Sequence, residues 1–402
     1  MDGNGQALVP DPKRNGHQSL DVEEAVLRRY NKAAQQSEAG LCVPVNYNRS
    51  LLEIIPAEIL EKDYGCGDPS KYVRAGETVL DLGSGSGKAC FIMAQMVGAA
   101  GRVIGVDFNE EMLALSRKYQ ASIGRKLGYH NVEFRRGRIQ NLRLNLALLD
   151  DYLKRNPVRS VTDFSRLRDF EEQSAREHPL IPDGSVDLIV SNCVLNLVRS
   201  EDKQQLFSEM YRVLRKGGRI AISDIVSDEP VPDYLKNDPE LWSGCVSGAF
   251  QEEEFFRAFE EAKFYGIHIE DLRSEPYQII EGIEFRSVTI TAHKGKEGPC
   301  IDRNQAVIYR GPWKQVVDDD DHVLPRGVRI AVCEKTYKIY SGPPYQDQFV
   351  LIPPREEIAA EATPVFDCSR DHRRHPRETK GLNYNATQTS RSVCGPGSAC
   401  CA

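Results

Sequence analysis

Thr78-Val79-Leu80-Asp81-Leu82 runs into Gly83-Ser84-Gly85-Ser86-Gly87, and Lys88 opens the next segment. A short apolar run, glycines at alternate positions and a helix-forming stretch, in that order, predict a strand, a tight turn and a helix start. Glycines spaced this way let the backbone approach a ligand where any Cβ would collide. The helix N-terminus behind them offers unpaired N–H groups to an anionic or polar ligand. The next strand-like run, Arg102-Val103-Ile104-Gly105-Val106, ends on Asp107, twenty residues after Gly87. A carboxylate at that place accepts both hydroxyls of a ribose.

Two familiar glycine loops do not fit. A phosphate-cradling loop needs Gly-x-x-x-x-Gly-Lys-Ser/Thr, but Leu82 stands where the first glycine belongs and Ala89 where the hydroxyl belongs. The dinucleotide fingerprint Gly-x-Gly-x-x-Gly fails at Lys88. What remains is Asp-x-Gly-x-Gly-x-Gly over Asp81 to Gly87, which resembles the S-adenosylmethionine (SAM) loop of class I methyltransferases. That resemblance assigns Asp81, Gly83, Ser84, Gly85 and Gly87 to the methionine end of SAM and Asp107 to its ribose. Phe108 and Ile139 are candidates to flank the adenine, and Asn192 to meet the methionine amino group.

Outward from this loop, strand and helix patterns alternate. A third strand is expected at Val132 to Phe134, a fourth at Ser185 to Val190 and a fifth at Arg219 to Ser223, the last preceded by a helix closed at Gly217-Gly218. Such alternation predicts an α/β fold with a doubly wound, mostly parallel sheet covered on both faces. The expected organisation is a flexible N-terminus (1–20), a SAM-binding domain (21–228) with a charged insert at about 141–182, and a substrate-binding segment (229–298). Short β-like pieces, among them Ala306 to Tyr309, Val328 to Val332 and Tyr337 to Tyr340, predict a small β-rich domain over 299–354. The cysteine-containing tail, 355–402, reads as disordered.

The chain has 402 residues, 40% of them hydrophobic, and a formal net charge of −7. Such a length supports several cores, and the acidic balance argues against nucleic acid as the main partner. The polar start, Met1-Asp2-Gly3-Asn4-Gly5, lacks the plan of a signal peptide, and no apolar run is long enough for a bilayer. A cytoplasmic monomer without membrane partners is the expectation. Eleven cysteines, an odd number without an export signal, do not form a disulfide framework and read as thiols. The acidic run Asp318 to Asp321 lacks the spaced ligands of an EF-hand and reads as a solvated loop.

Four cysteines stand in distinctive contexts: Cys42 in Gly40-Leu41-Cys42, Cys66 in Tyr64-Gly65-Cys66-Gly67, Cys193 in Ser191-Asn192-Cys193-Val194-Leu195-Asn196-Leu197 and Cys245 in Trp242-Ser243-Gly244-Cys245. Cys193 follows the fourth strand, at the sheet edge where ligands of doubly wound folds sit. Cys90 and Cys333 fit simple packing. Together with the glycine loop, the four contexts resemble the arsenite SAM methyltransferases, over roughly Ala33 to Pro353. The resemblance implies an enzyme of arsenic detoxification that methylates arsenite to mono- and dimethylated products. It implies that Cys66, Cys193 and Cys245 hold trivalent arsenic, the substrate, and that Cys42 and Cys66 relay a disulfide. An external thiol, glutathione or thioredoxin, would restore the relay. Two other readings remain open at this point. One is a class I methyltransferase for a small organic acceptor. The other is a non-catalytic, thiol-rich metalloid or zinc-binding protein.

Overall fold

The structure is a computed structural model that describes residues 20–385, apart from 37, 39–44, 46, 63, 357, 368–371 and 382–383. The chain divides into two compact units, residues 1–294 and 295–402. In the first, helix α1 (Val22–Gln35) is opened by Asp21, whose carboxylate accepts from Glu24 N. Two short helices follow, α2 (Arg49–Leu52) and α3 (Ala57–Glu61), the second opened by Pro56. Then follow β1 (Thr78–Leu82), α4 (Lys88–Val97), β2 (Arg102–Asp107), α5 (Glu110–Leu127) and β3 (Val132–Arg136). The charged insert forms α6 (Leu146–Arg155) and α7 (Val161–Glu177), followed by β4 (Val186–Asn192), α8 (Lys203–Val213) and β5 (Leu214–Ser227). Two short helices, α9 (Asp233–Lys236) and α10 (Pro239–Ser243), lead to β6 (Phe250–Gln251) and α11 (Glu252–Glu261). Strands β7 (Tyr265–Leu272), β8 (Gln278–Ile280) and β9 (Ile283–His293) complete the unit.

The main path of the sheet runs β3-β2-β1-β4-β5-β9-β7. Strands β1 to β5 are parallel neighbours, while β9 is antiparallel to both β5 and β7. Side chains alternate between the faces, as a period of two requires. Leu80, Leu82, Ile104, Val106, Ile220 and Ile222 join Leu206, Phe207, Phe255 and Phe259 in one core. Val79, Val103, Leu188, Val190 and Ala221 join Phe91, Ile92, Leu113 and Ile123 in the other. Gly217-Gly218 does not close the preceding helix: α8 stops at Val213, and β5 starts at Leu214 with a register irregularity between Val186 and Leu188 of its partner.

The second unit has a three-stranded sheet, β13-β10-β14, built from β10 (Ala306–Tyr309), β13 (Arg329–Ala331) and β14 (Phe349–Ile352). A hairpin, β11 (Gln315–Val317) and β12 (Val323–Pro325), lies between β10 and β13 in sequence. The expected strand at Tyr337 to Tyr340 is instead part of helix α12 (Glu334–Tyr340), started by Cys333, whose sulfur accepts from Thr336 N. Its last residue, Tyr340, stacks on Phe349 with centroids 4.3 Å apart. Asp318 is held rather than solvated, accepting from the backbone N–H of His322 at 2.8 Å and from the Tyr340 hydroxyl.

This packing reaches past Pro354 into the stretch read as a disordered tail. Phe366 is buried against Ala331 and Cys333, and Arg374 is buried with Asp302, ahead of a short helix α13 (Pro376–Lys380). Arg374 reaches Asp302 and Glu378, so removing it leaves the buried Asp302 charge without its guanidinium. Breaking one side of a buried pair costs about 3–5 kcal/mol. Arg374→Ala is therefore expected to lower the unfolding free energy of the second unit by about that amount, read by denaturant titration of the full chain.

Candidate active site

Turns at the carboxyl ends of β1, β2 and β4 open a cleft lined by Asp81, Gly83, Ser84, Gly85, Ser86, Asp107, Phe108, Ile139 and Asn192. Asp107 caps two turns: Oδ2 accepts from Gly85 N and Oδ1 from Asn109 N, each at 2.8 Å. Burial pushes its carboxyl up, and these backbone bonds oppose the shift. Phe108 lies under the Arg138 guanidinium, 5.1 Å from the ring centre. Gly87 is the one loop residue that does not line the cleft. It caps α4 in a left-handed conformation, and a Cβ there would lie 2.8 Å from Phe134 and 2.9 Å from Ser116. Glycine at this position lets the turn pack.

Asn192 lines the cleft, but its polar atoms are committed elsewhere. Oδ1 accepts from Cys66 N and Gly67 N at 2.9 and 3.1 Å, and Nδ2 donates to Gly67 O at 2.8 Å. The residue thus clips the Cys66 loop onto the end of β4. Directly beside that clip, Cys66 and Cys193 are joined by a disulfide, with Cα atoms 5.9 Å apart. Cys245 Sγ donates to the Cys193 carbonyl oxygen at 2.9 Å. Three of the four singled-out cysteines therefore meet, and Cys193 lines the cleft itself. Cys42 lies outside the described residues. The observed bond pairs Cys66 with Cys193, where the Asn192 clip holds the Cys66 loop against the end of β4. Cys90 is buried and donates to Asp81 Oδ2 at 3.1 Å. Burial and the Asp81 charge push its thiol up, which keeps it inert.

Cys193 and Cys245 both have left-handed backbones, with φ of 58° and 63°. Residues with a Cβ are rarely found there, and the surroundings must hold them. The holder is Asp224, fully buried near the end of β5. Its Oδ2 accepts from Leu195 N at 2.9 Å and its Oδ1 from Asn196 Nδ2 at 2.8 Å. Asn196 Nδ2 also donates to the Cys245 carbonyl at 3.3 Å. One carboxylate thus ties the loop after Cys193 to the loop carrying Cys245. Burial lifts its carboxyl to about 6 despite these bonds and the nearby Lys203. Lys203, itself lowered to about 8 by burial, donates to Gly248 O at 2.6 Å. Sequence reading passed over Asp224, Asn196 and also Tyr30, which lines the cleft from α1. The only advance signal for Asp224 was its place where the last parallel strand leaves the core pattern.

A family described as "Methyltransferase domain" matches residues 74–165 and 162–263, and one described as "Domain of unknown function (DUF8838)" matches residues 296–384. With the sheet order and the glycine-loop cleft, this defines a class I SAM-dependent methyltransferase. An arsenite methyltransferase of Aquipseudomonas alcaligenes is 31% identical over 352 residues, covering 82% of this chain and 91% of its own. The mouse arsenite methyltransferase is 27% identical, covering 80% of each chain. The crystal structure of an arsenic(III) SAM methyltransferase from Chlamydomonas reinhardtii superposes with a TM-score of 0.52 at 27% identity, covering 81% of this chain and all of that one. The chain belongs to the arsenite methyltransferase family.

SAM fits the residues present. Ser84 Oγ is buried in the cleft wall without a partner among the described residues, a donor and acceptor waiting for a ligand. A Cβ on Gly85 would meet only open space, so the loop faces a cradle rather than protein. Asp107, expected to meet the ribose, lines the cleft, and Phe108 and Ile139 offer apolar walls. Hydrogen bonds to a charged group contribute about 1.5–3 kcal/mol each. Asp107→Ala is expected to weaken SAM binding by roughly tenfold or more in calorimetry.

Asp224 generates a second expectation. Its folded value, about 6, lies above the ordinary carboxylate value. Its contribution to stability is therefore fully present below about pH 4 and is lost as pH rises through about 6. Relative to wild type, Asp224→Asn should gain stability as pH rises from 4 to 7, by at most about 3 kcal/mol. Denaturant titrations across that range measure the difference.

Proposed function

We propose that the protein methylates trivalent arsenic held by the thiolates of Cys66, Cys193 and Cys245. The observation that carries this reading is the convergence of these cysteines, from three separate parts of the chain, at the wall of the SAM cleft. Trivalent arsenic is a soft centre that prefers thiolates. Binding exchanges each arsenic–oxygen bond for an arsenic–sulfur bond, and the thiol proton leaves with the hydroxyl as water. That exchange suits Cys245, whose thiol burial and Asp224 push upward, because no free thiolate has to form beforehand.

Bound SAM supplies an electrophilic methyl group. Arsenic held by three sulfurs keeps one lone pair, and that pair forms the new arsenic–carbon bond without a general base. The protein's share is alignment: Asn192 fixes Cys66, Asp224 with Asn196 fixes Cys193 and Cys245, and the glycine loop fixes the opposite wall. Transfer leaves arsenic pentavalent. Two cysteine sulfurs return it to the trivalent state by giving up two electrons and joining as a disulfide. A bond between Cys66 and Cys193 is the product such a step leaves. An external thiol, glutathione or thioredoxin, then reopens it by exchange. Cys42 is assigned to take the oxidation over from Cys66. Mono- and dimethylated arsenicals are the products, and the reducing cytoplasm suits the cycle.

The test is incubation with arsenite, SAM and a thiol, with products read by mass spectrometry. Methylated arsenic is expected only when the thiol is present. Displacing one reacting group by about an ångström costs on the order of 100-fold, so Cys193→Ser and Cys245→Ser should each lose at least that much turnover. Full arsenite turnover by the doubly substituted protein would overturn the arsenic-thiolate reading and leave the cysteines incidental to methyl transfer.

A further inference from the structure

Helix α1 makes contacts in two directions. Toward the cofactor cleft, Glu23, Val26, Leu27 and Tyr30 share one helical face, at spacings of three and four, and line the wall. Asn31 Oδ1 of the same helix accepts from Asn109 Nδ2 at 2.8 Å, and the Asn109 N–H donates to Asp107, also at 2.8 Å. The helix is thus tied to the turn that holds the expected ribose carboxylate.

In the other direction α1 reaches the segments that carry the cysteines. The Tyr64 hydroxyl, two residues before Cys66, donates to Ala33 O at 3.1 Å. Arg29 Nη1 donates to Glu240 O at 2.7 Å and to Ser243 Oγ at 3.2 Å. The Ser243 hydroxyl hydrogen is spent on Pro239 O at 2.7 Å, so its oxygen is left to accept. Arg29 therefore caps the last turn of α10, where carbonyls lack helical partners and a cation is favoured. Gly244 leaves room for it: a Cβ there would stand 3.2 Å from Nη1 and 3.1 Å from Glu240 O. The Arg29 side chain is only 16% exposed, so these bonds are shielded from water. Cys245 comes next in the chain, with its thiol on Cys193 O at 2.9 Å. A shift of α10 carries the Cys245 sulfur with it.

Resting on the arsenic-thiolate reading above, we infer that Arg29 is a positioning residue that couples the cofactor cleft to the cysteine site. When α1 is held down on an occupied cleft, Arg29 passes that restraint to α10 and so to Cys245. Such a linkage is reciprocal: each ligand strengthens the other by the same factor. Methyl donor and methyl acceptor are thereby loaded together.

The test uses reduced protein, arsenite and S-adenosylhomocysteine, which has no methyl group to transfer. Arsenite affinity is read by arsenic–thiolate ultraviolet absorption and S-adenosylhomocysteine affinity by calorimetry, each with and without the other ligand. In wild type each ligand should strengthen the other by roughly fivefold or more. Arg29→Met keeps an unbranched apolar stem and loses both bonds, so the factor should fall below about twofold, while each ligand alone keeps most of its affinity. Arg29→Lys keeps the charge and can reach one acceptor, so it should give an intermediate factor, and it decides the question if Arg29→Met does not fold. Independent binding in wild type, or the wild-type factor in whichever variant folds, would overturn the inference. Loss of both separate affinities with the factor retained would make Arg29 a packing element, which also overturns it. Cys245→Ser separates the two readings: lost arsenite affinity there leaves the thiolate reading standing whatever Arg29 does, and wild-type affinity would overturn the thiolate reading itself.

Discussion

Everything at the cysteine site depends on one carboxylate that has been taken out of water. Asp224 accepts bonds from the turn after Cys193 and, through Asn196, fixes the loop of Cys245. Both cysteines have left-handed backbones, which L-residues avoid when left to themselves. The carboxylate supplies what the conformation lacks. Its burial is costly, as its upward shift shows, and a costly buried charge is retained where its hydrogen bonds define a geometry. The surrounding sheet, with its two apolar faces, provides the dry interior in which such bonds are strong.

The same arrangement would let the methyl transfer proposed here proceed without a general base. In that proposal, soft-centre recognition selects sulfur by bond strength, and the geometry of three sulfurs would select the site of reaction. What the fold must contribute is convergence of distant segments. It does so with polar clips at each junction: Asn192 for Cys66, Asn196 for Cys245 and Tyr64 for α1. Each clip bridges backbone to side chain, so each fixes a loop and not merely a residue.

The glycine loop, Asp107 and the alternation of elements were legible because local chemistry dictates them. Three alternating glycines between a strand and a helix have few other uses, and a period of two in Val79 to Leu82 reappears as the two cores. The contexts of Cys66, Cys193 and Cys245 could be singled out in the same way. What escaped was tertiary. Asn192 was assigned to a ligand, but its amide is spent on the Cys66 loop, a contact across 126 residues. Gly87 belongs to the motif but serves packing against Phe134. Tyr337 to Tyr340 carries a strand-like composition, yet the Cys333 cap and burial of Tyr340 against Phe349 turn it into a helix. Local pattern is silent on these points because burial decides them.

The Cys66–Cys193 bond spans 127 residues, a covalent loop that encloses β1 through β4 with all their helices. Closing so long a loop withdraws freedom from the unfolded chain, by about 4–5 kcal/mol in the simplest entropic account. In the proposed cycle, the reduced protein would give up that constraint in order to receive arsenic. An arsenic atom bound to both sulfurs would then close the same ring again, with a metalloid in place of the sulfur–sulfur bond. Through the catalytic cycle proposed here, the chain would pass from one cross-linked topology to another by way of an open form. Substrate would thus act as a structural staple as well as a reactant, and the empty reduced state would be the loosest point of the cycle.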